Sequence, residues 1–211
     1  MHHGLWIGGQ DLDIPILLSE YVKTFKTMSD EDIENLIKEC NNLKYGKVNN
    51  SNSKLNNYVN LKNKISLDNN SISNQSATII QKSISKAFNL YKQFCPFEIP
   101  NNLVIEKYCL RKYPKGFGKF DSHFDCKGNC NDRLFGVVGY LNTCYTGETE
   151  FPHLNIKISP KKGHVLIFPA SWEFTHKVST PLEDRYCFVS FIKLNINNNN
   201  VFTIHNHTLL L

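Results

Sequence analysis

The six residues CPFEIP, positions 95 to 100, divide the chain into two parts of different character. Before them, between Gln75 and Phe94, apolar residues recur at steps of three and four, the spacing of one helix face; they are Ile80, Ile84, Ala87, Phe88, Tyr91 and Phe94. After them, β-branched and aromatic residues dominate segments bounded by Gly, Pro, Asn and Thr; these are 103–113, 133–142, 154–158, 164–168 and 185–194. Helices followed by strands favour an α+β fold, a sheet sandwich or distorted barrel with N-terminal helices packed on one face.

Three segments farther from this boundary each carry a pattern of their own. The segment SDEDIENLIKEC, residues 29–40, predicts a short amphipathic helix with Ser29 as its N-cap; its apolar face comprises Ile33, Leu36, Ile37 and Cys40. Residues 46–76 are rich in Asn, Ser and Lys, which predicts a long loop. The tail, residues 195–211, predicts a turn followed by one short strand.

The composition is that of one globular domain. With 211 residues, 41% of them hydrophobic, the chain can bury a sizeable core. We expect a single domain over 1–211, in which 1–100 form a helical support and 101–211 a β-rich core. No run of 18 apolar residues and no leader pattern occur in the sequence, so we expect a soluble, cytoplasmic protein without a membrane partner.

Net charge and cysteine content exclude few classes of protein. The formal net charge of +5 is spread along the chain, which favours an acidic partner only weakly. Seven cysteines without regular spacing are typical of reduced thiols rather than of a disulfide framework. Cys126 and Cys130, with Cys144, have a spacing that matches no common zinc module.

Three side chains have the composition of a metal centre. His123 and Asp125 are one residue apart in a segment with strand character, so both project to one side. His176, which we expect at the end of an apolar strand, supplies a second imidazole. Two His with one carboxylate form the facial triad that holds non-haem Fe(II) with open coordination positions. Nine residues after His176, Arg185 begins a segment in which alternate residues share a face; they are Arg185, Cys187, Val189 and Phe191. A buried guanidinium needs an anion, and the distal carboxylate of 2-oxoglutarate suits its planar donors.

The order H-x-D, then His, then Arg nine residues later, with GYLNTCYTGETEFP at 139–152 between them, resembles the 2-oxoglutarate- and Fe(II)-dependent dioxygenases of the prolyl 4-hydroxylase branch. The resemblance covers about residues 103–194 and implies a double-stranded β-helix (jelly-roll, cupin-like) core with N-terminal helices on its major sheet. It also implies that Tyr113, ten residues before His123, lies near the co-substrate, that Tyr140 bonds the same carboxylate as Arg185, and that Thr149 belongs to the pocket.

Two departures from the branch are visible. Many collagen-type members have Lys where Arg185 stands, so the chain is more similar to the oxygen-sensing and bacterial-type enzymes. The family's GGET turn is TGET here, residues 146–149.

The resemblance implies a mechanism and a substrate class. His123, Asp125 and His176 would bind Fe(II), with Arg185 as the fourth catalytic residue. Fe(II), 2-oxoglutarate and O2 would hydroxylate prolyl residues of a polypeptide, with succinate and CO2 as products and ascorbate as a supporting reductant. Val138 and Phe191 would keep the metal surroundings apolar, and the turn PKGFGK, residues 114–119, is either a mobile lip or an ordinary turn.

Two alternatives remain open. The same chemistry could act on a modified nucleic acid or a small molecule, for which the only basic residues near the pocket are Lys112, Lys115, Lys119 and Arg133. The chain could also be a catalytically silent binding module, although the intact triad and Arg185 argue against it. Trp172 and Phe174 could line a groove, but such aromatics more often fill the core.

Overall fold

The computed structural model describes residues 6–7, 10–11, 18–42, 59–61, 64–95 and 98–195. Helix α1 spans Asp30–Asn42 and helix α2 spans Asn74–Tyr91. Ser29 caps α1, because its hydroxyl accepts from the backbone N–H of Asp32 at 3.1 Å, and Ser73 caps α2 in the same way through Ser76. Single turns of 3-10 helix lie at Leu18–Tyr21, Lys92–Phe94, Gly128–Cys130, Pro152–Leu154 and Trp172–Phe174.

Strands occupy most of the remaining described chain. In order they are β1 (Trp6–Ile7), β2 (Gln10–Asp11), β3 (Lys23–Lys26), β4 (Val59–Leu61), β5 (Lys64–Asn69), β6 (Leu103–Ile105), β7 (Cys109–Tyr113), β8 (Lys119–His123), β9 (Arg133–Tyr140), β10 (Thr149–Phe151), β11 (Ile156–Ile158), β12 (His164–Pro169), β13 (His176–Val178) and β14 (Arg185–Leu194).

Two antiparallel sheets share one strand. The major sheet has the order β5-β7-β14-β9-β12-β3, with β6 also paired to β14, and the minor sheet has the order β8-β13-β10-β11. The first two residues of β5 pair with β8, and its last three pair with β7. This strand therefore crosses from the minor to the major sheet and joins them along one edge.

The sheets and helices form three layers. Apolar residues of α1 and α2 pack on the outer face of the major sheet; this core includes Ile33, Leu36, Ile80, Ile84, Phe88, Leu110, Phe135, Val165 and Phe188. A second core lies between the sheets and includes Tyr113, Tyr140, Leu166, Phe168, Phe151 and Val178. The periodicity therefore predicted both helices and the faces that they bury. Phe94 is an exception, because α2 ends at Tyr91 and the following 3-10 turn leaves Phe94 54% exposed.

Two predictions about local structure are wrong. The loop expected over 46–76 contains β4 and β5, because backbone pairing with β7 and β8 outweighs a composition poor in strand-forming residues. His176 begins β13 instead of ending a strand, since a 3-10 turn precedes it. The predicted tail strand lies outside the described residues.

None of the helices in the described part of the chain has the length and apolar composition that crossing a bilayer needs. The division at residue 100 stays a prediction, and the first 100 residues supply β3 and β5 to the major sheet in addition to both helices.

Candidate active site

A cavity of about 420 Å³ opens among the strands of both sheets. The residues that surround it include Arg111, Tyr113, Phe120, His123, Asp125, Lys127, Arg133, Val138, Thr149, Phe168, His176, Arg185, Cys187, Val189 and Phe191. The predicted face of β14 is therefore confirmed, since each of its four alternate residues borders this space. Val138 and Phe191 also lie where an apolar wall was expected.

The minor sheet brings His123, Asp125 and His176 together. His123 ends β8 and lies directly opposite His176, the first residue of β13, and Asp125 follows two residues after β8. One oxygen of Asp125 is 3.7 Å from Nε2 of His123, and the other is 3.8 Å from Nε2 of His176. The ligand atoms of all three residues lie within 4.8 Å of one another, so together they could hold one metal ion.

Both imidazoles have a fixed tautomer. Nδ1 of His123 lies 2.8 Å from the carbonyl oxygen of Asp121, and Nδ1 of His176 lies 3.1 Å from that of Phe174. A carbonyl can only accept, so each Nδ1 carries the proton and each Nε2 presents a lone pair toward Asp125. Burial is the largest cause that lowers the pKa of each histidine to about 4, which keeps the rings neutral. Burial also raises the pKa of Asp125 above its ordinary value.

Aromatic rings pack against the two histidines. The ring of Phe120 stacks on His123 at a centroid distance of 3.7 Å, and the edge of Phe168 contacts His176 at 4.7 Å. Phe174 is buried beside them, whereas Trp172 is 67% exposed. The expectation of core packing is therefore confirmed for Phe174 and wrong for Trp172, because the 3-10 turn that carries both points them in different directions.

Arg185 is the most unusual buried group of the cavity. Its side chain is 1% exposed, and its Nη2 donates to the Thr149 hydroxyl at 3.2 Å. Its guanidinium lies 4.7 Å from the ring centroid of Tyr113 and 5.3 Å from that of Tyr140. Within the described residues it makes no ion pair, and its Nε has no hydrogen-bond partner. A buried cation without a counter-charge is costly, so the arrangement fits an anionic ligand.

Tyr140 is linked to Arg185 through Thr149. Its hydroxyl hydrogen-bonds the Thr149 hydroxyl at 2.9 Å, which places Tyr140, Thr149 and Arg185 in one polar cluster. Tyr140 itself does not border the cavity, unlike Thr149 and Tyr113. Burial raises the pKa of Tyr140 to about 12, so its hydroxyl stays protonated.

Backbone hydrogen bonds hold the turn at residues 114–119, which leads into β8. The N–H of Gly116 donates to the carbonyl oxygen of Pro181, and that of Gly118 to Pro114, both at 2.8 Å. Gly116 has a φ of 79°, which favours glycine. The exposed Phe117 is not among the residues that border the cavity, so it gives no support to a lip.

The cysteine alternative finds no support. Among the described residues, His123, Asp125 and His176 are the only group of three potential ligands that converge. Cys126 contacts the carbonyl oxygen of Asn131, and Cys144 is buried beside Asn142. His205 and His207 lie outside the described residues.

Two features of the site were not predicted from the sequence. Arg111 lies on β7 two residues before Tyr113 and forms an ion pair with Asp68, and strand alternation from Tyr113 would have placed it in the cavity. Gly136 lies inside β9, where a Cβ would come 2.8 Å from Oδ2 of Asp125 and would overlap the Phe168 ring. A glycine within a strand signals such close approach.

Comparison with known proteins agrees with this geometry. Residues 108–193 match the family model described as 2OG-Fe(II) oxygenase superfamily. None of the curated proteins compared with the chain matches it significantly.

Three solved structures share the fold. One is a viral collagen prolyl hydroxylase from Paramecium bursaria Chlorella virus-1 in complex with 2OG, with a TM-score of 0.61, 21% identity, and coverage of 85% of this chain and 99% of that one. The second is a Trichoplax adhaerens prolyl hydroxylase with a peptide fragment of the hypoxia inducible factor oxygen degradation domain, with a TM-score of 0.59, 17% identity, and coverage of 84% and 87%. The third is a Pseudomonas putida prolyl-4-hydroxylase with a TM-score of 0.58, 13% identity, and coverage of 84% and 97%.

The expected α+β fold with a double-stranded β-helix core is confirmed by the two antiparallel sheets and by these neighbours. Over residues 108–193 the chain is thus similar to the 2OG-Fe(II) oxygenase superfamily, and this match together with the His-Asp-His group supports a dioxygenase that uses Fe(II), 2-oxoglutarate and O2.

Proposed function

We propose that the chain hydroxylates prolyl residues of a protein or peptide in a reaction that depends on Fe(II) and 2-oxoglutarate. The observation that carries the proposal is the presence, in one cavity, of a His-Asp-His group with neutral imidazoles and of a buried arginine without a counter-charge among the described residues. A metal that needs open coordination positions and a dicarboxylate that needs a distal cation are complementary to these two features.

His123, Asp125 and His176 would hold the iron. The Nδ1 protons are held by carbonyl oxygens, so both Nε2 lone pairs are available beside Asp125, and all three residues border the cavity. Bound Fe(II) supplies activation of O2, coupled to oxidative decarboxylation of 2-oxoglutarate, so that one oxygen atom enters succinate and the other enters the substrate C–H bond. The protein's part is to orient these groups and to keep water away.

Arg185 would bind the distal carboxylate of 2-oxoglutarate. Its unpartnered Nε and one Nη offer the planar pair of donors that a carboxylate accepts. Thr149 bonds both Arg185 and Tyr140, so it would fix the guanidinium plane and add a hydroxyl donor of its own. Tyr113 borders the same space, with its ring against the guanidinium.

The substrate class is inferred from two observations. The three solved structures are those of prolyl hydroxylases, and one of them contains a peptide fragment. Of the four basic residues that the sequence suggested for nucleic acid, three are paired with carboxylates: Lys112 with Asp184, Lys119 with Asp121, and Arg133 with Glu106. Lys127, which also borders the cavity, lies over the ring of Phe124. Pairing reduces the attraction for phosphates, which favours a polypeptide partner over nucleic acid.

Succinate formation tests the proposal. Purified protein with Fe(II), ascorbate and 2-oxoglutarate should form succinate in step with addition of one oxygen atom to Pro-containing peptides, measured by mass spectrometry. The control peptides carry Ala in place of each Pro and should give only background turnover. Turnover that appears only with alkylated bases would show that the prolyl assignment is wrong and that the nucleic-acid alternative holds.

Replacing Gly136 by Ala should weaken metal binding. The added methyl group would press on Oδ2 of Asp125 and on the Phe168 ring, so the carboxylate must move away from the two histidines. We expect the affinity for Fe(II) or Mn(II), measured by calorimetry without O2, to fall about tenfold or more, the scale seen when support of a metal ligand is disturbed.

Gly139→Ala on the same strand is the matched control. A Cβ there meets the Phe188 ring, which belongs to the core under the helices. This variant should lose stability by about 1–3 kcal/mol, as overpacked cores do, while its metal affinity stays near that of the wild type. Equal metal affinity in both variants would contradict the proposed position of Asp125 at the iron.

A further inference from the structure

The cavity contains a second arginine that the proposed chemistry does not use. Arg111 lies in the middle of β7, directly across from Asp68 on β5, the strand that joins the two sheets. Its Nε donates to one oxygen of Asp68 at 2.8 Å and its Nη2 to the other at 3.0 Å. Both side chains are almost buried, with exposed fractions of 12% and 10%. Because this bidentate pair neutralises Arg111, that residue does not compete with Arg185 for an anion.

The remaining terminal nitrogen of Arg111 has a different contact. Nη1 donates to the hydroxyl oxygen of Tyr113 at 3.3 Å. Arginine has no acceptor, so the phenol must accept here, and its own proton is left to point elsewhere. Among the described residues no oxygen accepts that proton, and Tyr113 borders the cavity beside Arg185. The phenolic proton is thus available to a ligand in the cavity.

We propose that Asp68 and Arg111 form a positioning pair that holds the Tyr113 hydroxyl as a hydrogen-bond donor to the bound anion. The inference rests on the proposed function, in which that anion is 2-oxoglutarate. Asp68 fixes the guanidinium plane, Arg111 occupies the acceptor lone pair of the phenol, and the phenol donates to an oxygen of the co-substrate. Strand β5, which comes from the N-terminal part of the chain, thereby contributes to co-substrate binding without touching the ligand.

A purely structural role would predict something different. In that case the ion pair only fastens β5 to β7, and its loss would lower stability without any dependence on Tyr113. A positioning role requires that the effect of Arg111 on ligand affinity pass through the Tyr113 hydroxyl, so the effects of the two residues must not add.

A double-mutant cycle on Arg111 and Tyr113 tests the inference. The Kd for 2-oxoglutarate is measured by calorimetry on the full chain loaded with Mn(II) without O2, for wild type, Arg111→Gln, Tyr113→Phe and the double variant. We expect each single variant to bind about three- to tenfold more weakly, the scale of one lost hydrogen bond, and the double variant to bind no more weakly than Tyr113→Phe alone. Additive losses, or an unchanged Kd in Arg111→Gln, would overturn the positioning role.

Two further variants distinguish an effect on ligand binding from a general loss of stability. Lys193→Met breaks the ion pair with Asp132 at the far end of β14, outside the cavity, and should leave the Kd unchanged. If Arg111→Gln does not fold, the cycle is run with Asp68→Asn/Arg111→Gln, which leaves no buried charge unpaired, and the same non-additivity is expected. Failure of the wild type to bind 2-oxoglutarate would instead refute the proposed function, and the inference with it.

Discussion

A His123→Ala protein is expected to lose Fe(II) binding and all succinate formation. His123 supplies one of three ligands, and its Nε2 is fixed by the hydrogen bond that Nδ1 donates to the carbonyl of Asp121. Loss of a group that hydrogen-bonds a metal ligand typically lowers metal affinity about 10- to 100-fold, and loss of the ligand itself should lower it more. Metal content after purification and calorimetric titration with Fe(II) or Mn(II) measure the change.

His153→Ala is the matched control for this variant. His153 is an exposed imidazole in a 3-10 turn, so its removal should leave metal content and turnover unchanged. Circular dichroism should show an intact fold in both variants, because the alanine leaves only a small space beside Phe120 on the cavity wall. Full metal binding by folded His123→Ala protein would refute the proposed ligand set.

Features with a local sequence signature were predictable. The N-caps, the apolar faces of α1 and α2, and the alternating face of β14 follow from spacing alone, because each depends on residues close together in the chain. His123 and Asp125 were likewise predicted as a pair from strand alternation, although β8 ends at His123 and Asp125 lies just after it. Their convergence with His176 rested on a known ligand set and a family resemblance, since no local pattern shows which distant strands will pair.

The parts that were missed depend on long-range pairing. Strand β5 has a weak strand composition, and besides its local pairing with β4 it pairs with β7 and β8, whose residues lie more than 40 positions away in the chain. The contact of Asp68 with Arg111 exists only because that pairing sets their register. Trp172 was misjudged for a related reason, because the direction of an aromatic in a single 3-10 turn depends on how the turn packs rather than on hydrophobicity.

Substitution of Arg185 by leucine is expected to weaken 2-oxoglutarate binding strongly without loss of stability in the unliganded protein. Burial of the guanidinium without a counter-charge costs free energy in the empty cavity, and leucine removes that cost. The ligand, by contrast, would lose a charged and fully desolvated partner. Removal of one member of such a pair costs about 2–5 kcal/mol, which corresponds to roughly 30- to 5,000-fold in Kd.

The opposite signs of these two effects make the test specific. Calorimetry on the Mn(II) protein without O2 should show the loss of 2-oxoglutarate affinity, while thermal unfolding without ligand should give a Tm equal to or above that of the wild type. Pyruvate is the matched ligand, since it has the keto acid end but no distal carboxylate, and it should bind both proteins equally weakly. The 2-oxoglutarate affinity of Arg185→Lys should lie between those of the wild type and Arg185→Leu, because an ammonium keeps the charge but not the planar pair of donors. If Arg185→Leu instead weakened pyruvate and 2-oxoglutarate alike, the arginine would be acting at the keto acid end, and the proposed orientation of the co-substrate would be reversed.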